Sequence, residues 1–443
     1  MDKQRKKVQK AWTMYDWANS TYNLVITSTI FPAYYVAVTS NPIEGELSYV
    51  DFFGMKIINT ALQNYALALV FLLVALSSPI LSSIADYRGN KKAFMRFFAF
   101  MGSLSCAALF FFTPEKIEWG IIFFSLAALG FWNSIVFYNS YLPDIAEPEE
   151  RDRLSARGFA MGYIGSVLLQ LICFVIILQP GWFGLDNGDK TLGPRISFLL
   201  VGIWWLGFAQ IPFSVLPSNT PQNKELKKHL LINGFHELQM VWQQAKKIIA
   251  LKRYLIAFFL LSVGVQTVML VAAGYSKKEI FPKEEDEPKL ILTIILIQVV
   301  AIFGALLLSR VSKWIGNIAT MMIAILVWIF ICIWGYFITS QTEFYILAGL
   351  VGLVMGGIQS MSRSTYSKLL PETQDTTAFF SFYDVTEKIA LTIGLFLFAY
   401  NEELTGSMRN SILVLMGFFI LSFFALIYTK QSISRKTHAT LFN

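Results

Sequence analysis

The sequence predicts an all-α integral membrane protein of twelve transmembrane helices in two six-helix halves, with both termini cytoplasmic. Three observations predict it. The first is composition: 55% of the 443 residues are hydrophobic, only 15% are charged, and the mean hydropathy is +0.54. A soluble domain sits nearer half apolar and a quarter charged. The second is the form of the apolar runs, which are continuous and about 20 residues long. That is the length a helix needs to cross roughly 30 Å of hydrocarbon, whereas the strands of an outer-membrane barrel would alternate apolar and polar residues. The third is the placement of Lys and Arg. With the N-terminus inside, the cytoplasmic segments hold 26 of the 36 basic residues, among them Lys3, Arg5, Lys91, Arg151, Lys227 and Arg435; the external loops hold nine, and Lys388 lies within a span. The outer loops are acidic, as in EGELSYVD and KEEDE. This bias is the one that orients helices in membranes, and it accounts for the net charge of +7 without a nucleic-acid partner.

The elements follow in order. A basic leader, MDKQRKKVQK, precedes the first span, 12–38, and no small-residue cleavage site follows it, so this span is expected to act as its own insertion signal. Spans at 58–84, 92–113, 118–141, 157–179 and 196–216 complete the first half, domain 1–217. The longest polar segment comes next, a cytoplasmic linker at 218–252. Within it Leu231, Phe235, Leu238, Trp242 and Ile249 recur at helical spacing between Lys and Gln. This predicts an amphipathic helix at the inner membrane surface, with a possible break at Asn233–Gly234. His229 and His236 have no partner set resembling a metal site and read as solvated or interfacial. The second half, 253–430, holds spans at 253–275, 289–310, 317–339, 344–367, 377–399 and 408–429, and residues 431–443 form a cytoplasmic tail. Cys106, Cys173 and Cys332 all fall inside apolar runs and read as small hydrophobes.

Polar residues inside these spans are the functional candidates, because an ionisable side chain at the bilayer centre costs about 2.5–3.5 kcal/mol on insertion scales. At 100° per residue, Asp16, Ser20, Asn23, Thr27 and Tyr34 fall within an arc of about 60° on the first span, with Asn19 at its edge. That describes a polar wall lining a water-filled cavity. Asp16 has a second reading, an interfacial cap paired with Lys10. In the eleventh span Asp384, Glu387 and Lys388 share an arc of about 100°; Asp384 and Lys388 are i,i+4 neighbours that can pair, leaving Glu387 as the net negative group. This cluster reads either as a salt-bridge network holding a gate or as a proton-coupling site. In the tenth span Arg363 either anchors Asp384 or binds an anionic substrate group, and the glycines there allow close helix approach. Asn133, Gln170, Gln266, Gln298 and Gln359 place amides near mid-span in both halves, as a midplane binding site would. Gly158, Gly162 and Gly165 form a close-packing strip at the start of the fifth span. There is no nucleotide-binding loop, and no catalytic set or metal-ligand spacing stands out, so neither an enzyme nor a cofactor is expected.

Two halves of six spans point to an internal repeat of the secondary-transporter kind. The loop SSIADYRGNKK after the second span resembles the Gly-x-x-x-Asp-Arg-x-Gly-Arg-Lys loop of the major facilitator superfamily. Asp86, Gly89 and Lys91 match, while Ser82, Tyr87 and Asn90 depart. The corresponding loop of the second half, SRVSKWIGN, keeps Gly316 and has Lys313 where the acid would stand. Four further stretches are more specific: WTMYDWANSTYN; FYNSYLPDIAEPEERDRLSARGFAMGYIG; GVQTV from Gly264; and GGIQSMSRSTYSKLLP followed by FFSFYDVTEKIA. They resemble the vacuole-effluxer-like family of major facilitators, the autophagy-linked amino-acid effluxers and their bacterial relatives. The family usually has an acid just before Gly-Val-Gln-Thr, where this chain has Ser262–Val263, and Asp384 and Glu387 stand where relatives often have uncharged residues. A compensating relocation of the acid is one explanation.

The resemblance implies a secondary transporter of small amphipathic solutes, with amino acids the best-known class. The polar residues add the expectation of alternating access through a central cavity that exports an amino acid or peptide-like compound, driven by a proton gradient or by facilitated diffusion. Asn19, Asn23, Asn133, Gln266 and Gln359 are the expected substrate contacts. Asp16, Asp86, Asp144, Arg363, Asp384, Glu387 and Lys388 are the expected coupling and gating residues. The expected partners are the solute, membrane lipid and protons, for a monomer in a bacterial cytoplasmic membrane. The alternatives are a multidrug or lipid-like effluxer of the same fold and a transporter-like receptor or scaffold that moves nothing.

Overall fold

In a computed structural model the described residues are 3–40, 48–185, 188–218, 230–281, 283, 286–373 and 375–441, and nearly all of them are helical. The helices are α1 (Lys3–Thr21), α2 (Phe31–Thr39), α3 (Asn59–Arg88), α4 (Lys91–Ala108), α5 (Ile117–Ser140), α6 (Leu142–Ile145), α7 (Pro148–Leu178), α8 (Leu192–Val215), α9 (Leu230–Lys247), α10 (Ile249–Glu279), α11 (Glu287–Ile315), α12 (Asn317–Phe337), α13 (Gln341–Leu369), α14 (Thr376–Thr405) and α15 (Met408–Leu441). Among the described residues, ten helices are long and apolar enough to cross a membrane: α3, α4, α5, α7, α8, α10, α11, α12, α13 and α15. Large apolar side chains such as Leu69, Leu72, Phe303 and Phe396 stand exposed along these and neighbouring helices. A water-soluble chain rarely exposes so much contiguous apolar surface.

The two remaining expected spans have structural peculiarities. The first is helical throughout but in three stretches: α1, a π-helical segment Tyr22–Ile30, and α2. In the π segment Ser28 Oγ donates to Asn23 O and Thr29 Oγ1 to Leu24 O, both five residues back, and the Phe31 N–H bonds Ile26 O in the same register. The second is α14, 30 residues long but carrying Asp384, Glu387 and Lys388 in its course.

The chain divides into two compact units. One comprises Met1–Tyr138 with Met161–Leu226, the other Asn139–Ala160 with Lys227–Asn443. In the first unit an aromatic core joins α1 and α2 to α5 and α8: Phe31 stacks on Phe124 at 3.9 Å, and Trp12 on Tyr138 at 4.4 Å. Gly162 and Gly165 of α7 lie against α1, where a Cβ on Gly165 would stand 2.7 Å from the Trp17 carbonyl oxygen. Gly89, at φ +62°, ends α3, and its N–H bonds Ala85 and Asp86 carbonyls, so the loop glycine read from the sequence serves as a left-handed helix stop. In the second unit Gly352, Gly356 and Gly357 of α13 bring that helix onto the α11 backbone, and Trp328 of α12 stacks on Phe419 of α15.

Two features differ from the sequence reading. The outer loop before α3 contains an antiparallel hairpin, β1 (Tyr49–Phe52) and β2 (Met55–Ile58), closed by a turn with Phe53 at φ 51° and Gly54 at φ 81°. The linker helix α9 runs unbroken through Asn233–Gly234. Part of its apolar face is covered by protein: Val241 and Ala245 are buried, and Trp242 stacks on Phe382 of α14 with Lys246 Nζ 5.1 Å from its ring centroid. His236 is exposed; His229 lies outside the described residues.

Candidate solute and coupling site

In the first unit Asp16 and Asn19 of α1 are buried in helix packing. Tyr138 of α5 donates its hydroxyl hydrogen bond to Asp16 Oδ2 at 2.6 Å, and the Trp12 indole N–H bonds the Tyr138 carbonyl at 3.0 Å. Asp16 is therefore a buried acceptor in an aromatic setting; the surface cap paired with Lys10 does not describe it. Asn19 is fully buried, and neither atom of its amide has a hydrogen-bond partner. Ser20 faces Gly162, while Asn23 and Thr27 are half-buried. Tyr34 does not continue the polar wall: it is buried, with its hydroxyl on Phe112 O at 2.9 Å. The π segment explains the difference, because its wider turn breaks the 100° phase after Tyr22. Asn133 bridges α5 to α3, accepting from Ser77 Oγ at 3.3 Å while its amide N–H bonds Leu129 O. Asp86 is buried at the end of α3.

The second unit brings four predicted residues together. Lys388 Nζ lies 3.2 Å from Asp384 Oδ1 and 3.3 Å from Glu387 Oε2. Gln266 of α10 donates a short hydrogen bond to Glu387 Oε1. Asp384 Oδ2 is buried without a hydrogen-bond partner. The side chains of Lys388 and Asp384 are 2% and 6% exposed and that of Glu387 is 17% exposed, so Glu387 is the accessible member. Gln359 of α13 directs its amide to Met269 Sδ, one turn along α10 from Gln266.

Arg363 does not anchor Asp384. Its guanidinium bonds Ser155 Oγ and Ser155 O at 2.9 Å and Asn139 Oδ1 at 3.0 Å, and it lies over the Phe159 ring. Beside it stands a node that sequence reasoning missed. Asp152 accepts from Lys368 Nζ at 2.6 Å, from Asn317 Nδ2 at 2.7 Å and from Ser312 Oγ at 3.2 Å. Arg151 bonds the Ser367 carbonyl at 2.6 Å. The stretch from Asn139 to Ala160 is thus held on α11, α12 and α13 largely by polar bonds. Asp144, on α6, is exposed.

The arrangement is that of a membrane transporter of the major facilitator fold. A crystal structure of the major facilitator transporter FucP in its outward conformation superposes on this chain with a TM-score of 0.69, covering 96% of this chain and 98% of that one at 12% identity. The chain belongs to the family described as vacuole effluxer Atg22 like, which matches residues 4–439. The uncharacterized MFS-type transporter YxiO of Bacillus subtilis (strain 168) is 30% identical over 436 residues, spanning 98% of this chain and 97% of its own. Autophagy-related protein 22-2 of Penicillium rubens is 24% identical over 480 residues, spanning 87% of this chain and 77% of its own.

Proposed function

We propose that this transporter exports a small amphipathic solute, an amino acid or peptide-like compound, by proton-coupled alternating access. The observation that carries the coupling is the Asp384–Glu387–Lys388 cluster with Gln266, a buried acid–base pair beside a partly accessible acid in the course of α14. Such groups are costly in a membrane and mark ion or substrate pathways. In this reading Asn19, Asn23, Asn133, Gln266 and Gln359 contact the solute. Asp384, Glu387 and Lys388 couple it to protons, with Asp16 as a second buried acid, and Asp86, Asp144 and Arg363 act at the cytoplasmic gate.

The accompanying topology is twelve spans, with the three-part first helix and α14 added to the ten apolar ones. Residues 1–217 and 253–430 form the two six-helix halves, 218–252 the linker and 431–443 the tail. Lys and Arg placement supports cytoplasmic termini. The bacterial relative supports a cytoplasmic membrane, and the protein acts as a monomer. Counterflow in proteoliposomes with labelled amino acids and dipeptides tests the substrate class. Saturable exchange of at least one is expected; silence across the panel removes the amino-acid and peptide reading and leaves the fold intact.

A further inference from the structure

The hairpin before α3 has one apolar face that runs out past the protein beneath it. Antiparallel partners stand on the same side of a ladder, and side chains alternate between faces along each strand. Val50 with Ile57 and Phe52 with Met55 therefore share a face, while Tyr49 with Ile58 and Asp51 with Lys56 take the other. Along the apolar face, exposure rises toward the tip. Val50 is 4% exposed, Phe52 and Ile57 are half-buried, Met55 is 57% exposed, and Phe53 in the turn is 67% exposed. The base of the hairpin is fixed. The Asn59 N–H bonds Ser48 O, the Asn59 side-chain amide donates to Thr39 Oγ1 of α2, and β2 passes directly into α3.

The turn itself is an independent sign. Phe53 and Gly54 both have positive φ, 51° and 81°. A two-residue turn of that kind matches the twist of the strands and favours Asn-Gly or Asp-Gly. Gly54 meets the preference, and its N–H is held by Asp51 Oδ1 at 2.8 Å. Phe53 does not, because a bulky side chain at positive φ is strained. The chain keeps a phenyl ring at the tip against the conformation of its own turn, which the stability of the hairpin alone would not select.

The exposed apolar surface continues on α3. That helix opens with the polar Asn59, Gln63 and Asn64, then presents Tyr65, Leu69, Leu72, Leu73 and Leu76 as an exposed stripe. Such a stripe is what a spanning helix turns to lipid, and Tyr65 stands where an interfacial aromatic belongs. Ile58 is about 10 Å of helix rise from Tyr65, and a four-residue strand is about 13 Å long, so the tip is long enough to reach the headgroup layer. We infer that the hairpin is a membrane anchor, with Phe53 and Met55 inserted into the phospholipid interface at the N-terminal end of α3. With the cytoplasmic termini proposed above, this is the outer leaflet. Asp51 and Lys56 stay in water on the opposite face. The anchor holds the junction of α2 with α3, through Asn59, at the membrane surface, whatever the solute is.

The test attaches a nitroxide label to Met55→Cys or to Lys56→Cys in the full-length protein, in vesicles of phosphatidylethanolamine and phosphatidylglycerol. The three native cysteines are buried, and unsubstituted protein carried through the labelling gives the background. Collisions with oxygen, which partitions into lipid, and with a water-soluble nickel chelate read the depth of each label. Oxygen should dominate at position 55 and nickel at position 56. Phe53→Asn suits the turn and should keep or raise the melting temperature, yet it should increase nickel access at position 55 severalfold. Phe53→Gly, equally suited to positive φ, serves if that variant folds poorly. Nickel dominating at both positions puts the hairpin in water and overturns the inference. Low access of both probes at position 55 puts that side chain against protein and overturns it too. An oxygen-dominated signal that neither Phe53 variant changes overturns the anchoring role of Phe53.

Discussion

Asn19 holds the least satisfied polar group of α1, a fully buried amide with neither atom bonded. Leaving such a group unpaired costs about 1–3 kcal/mol, a cost that stability alone would remove by substitution. Asn19→Leu is therefore expected to keep or raise the melting temperature in detergent while lowering solute counterflow. A variant that transports like wild type would show the amide to be idle. Asp152 is the opposite case, a buried carboxylate with three donors. Asp152→Ala takes the carboxylate from Lys368, which keeps Asn317 Oδ1, and one acceptor from the Asn317 amide, which keeps Thr365 Oγ1; it should cost about 1.5–3 kcal/mol, the range for lost hydrogen bonds to charged groups, read as a lowered unfolding midpoint. An unchanged midpoint would show the node to be energetically neutral.

At the scale of elements, what the sequence disclosed depended on where a polar residue stands. Asp384, Lys388, Glu387 and Gln266 were legible because each interrupts an apolar run, and the i,i+4 spacing identified the pair that forms. Asp152, Lys368 and Asn317 were not, because charged residues at the ends of spans are ordinary and their meeting is a tertiary fact. The π segment was hidden by an assumed 3.6-residue period, although the run Thr27–Ser28–Thr29 supplies the hydroxyls that bond its widened turn. The hairpin sits inside an acidic loop, and the alternation in YVDFFGMKII is too short to stand out there. The glycine strip on α7 was legible, and its contact gives a prediction. Gly165→Ala would press a methyl into the Trp17 carbonyl, backbone that cannot rotate away. Overpacking of this kind costs typically 1–3 kcal/mol, so a lowered melting temperature is expected, with no loss from Gly207→Ala, where the space is open.

For the whole molecule, membrane class was legible in composition and in the length of the apolar runs, and family in four motifs spread along the chain. The family match over residues 4–439 and the major facilitator superposition agree with that reading. The solute was not legible, because amide and aromatic side chains bind many small molecules and their distances form only in the fold. Export coupled to protons has one direct consequence: the imposed pH gradient must do work on the solute. The decisive measurement is accumulation of labelled leucine against its gradient in proteoliposomes. Vesicles with an acidic interior should concentrate the label as protons leave, and abolishing the gradient should return it to equilibrium. Saturable flux that never exceeds equilibrium, or accumulation only when the interior is alkaline, would contradict proton-coupled export.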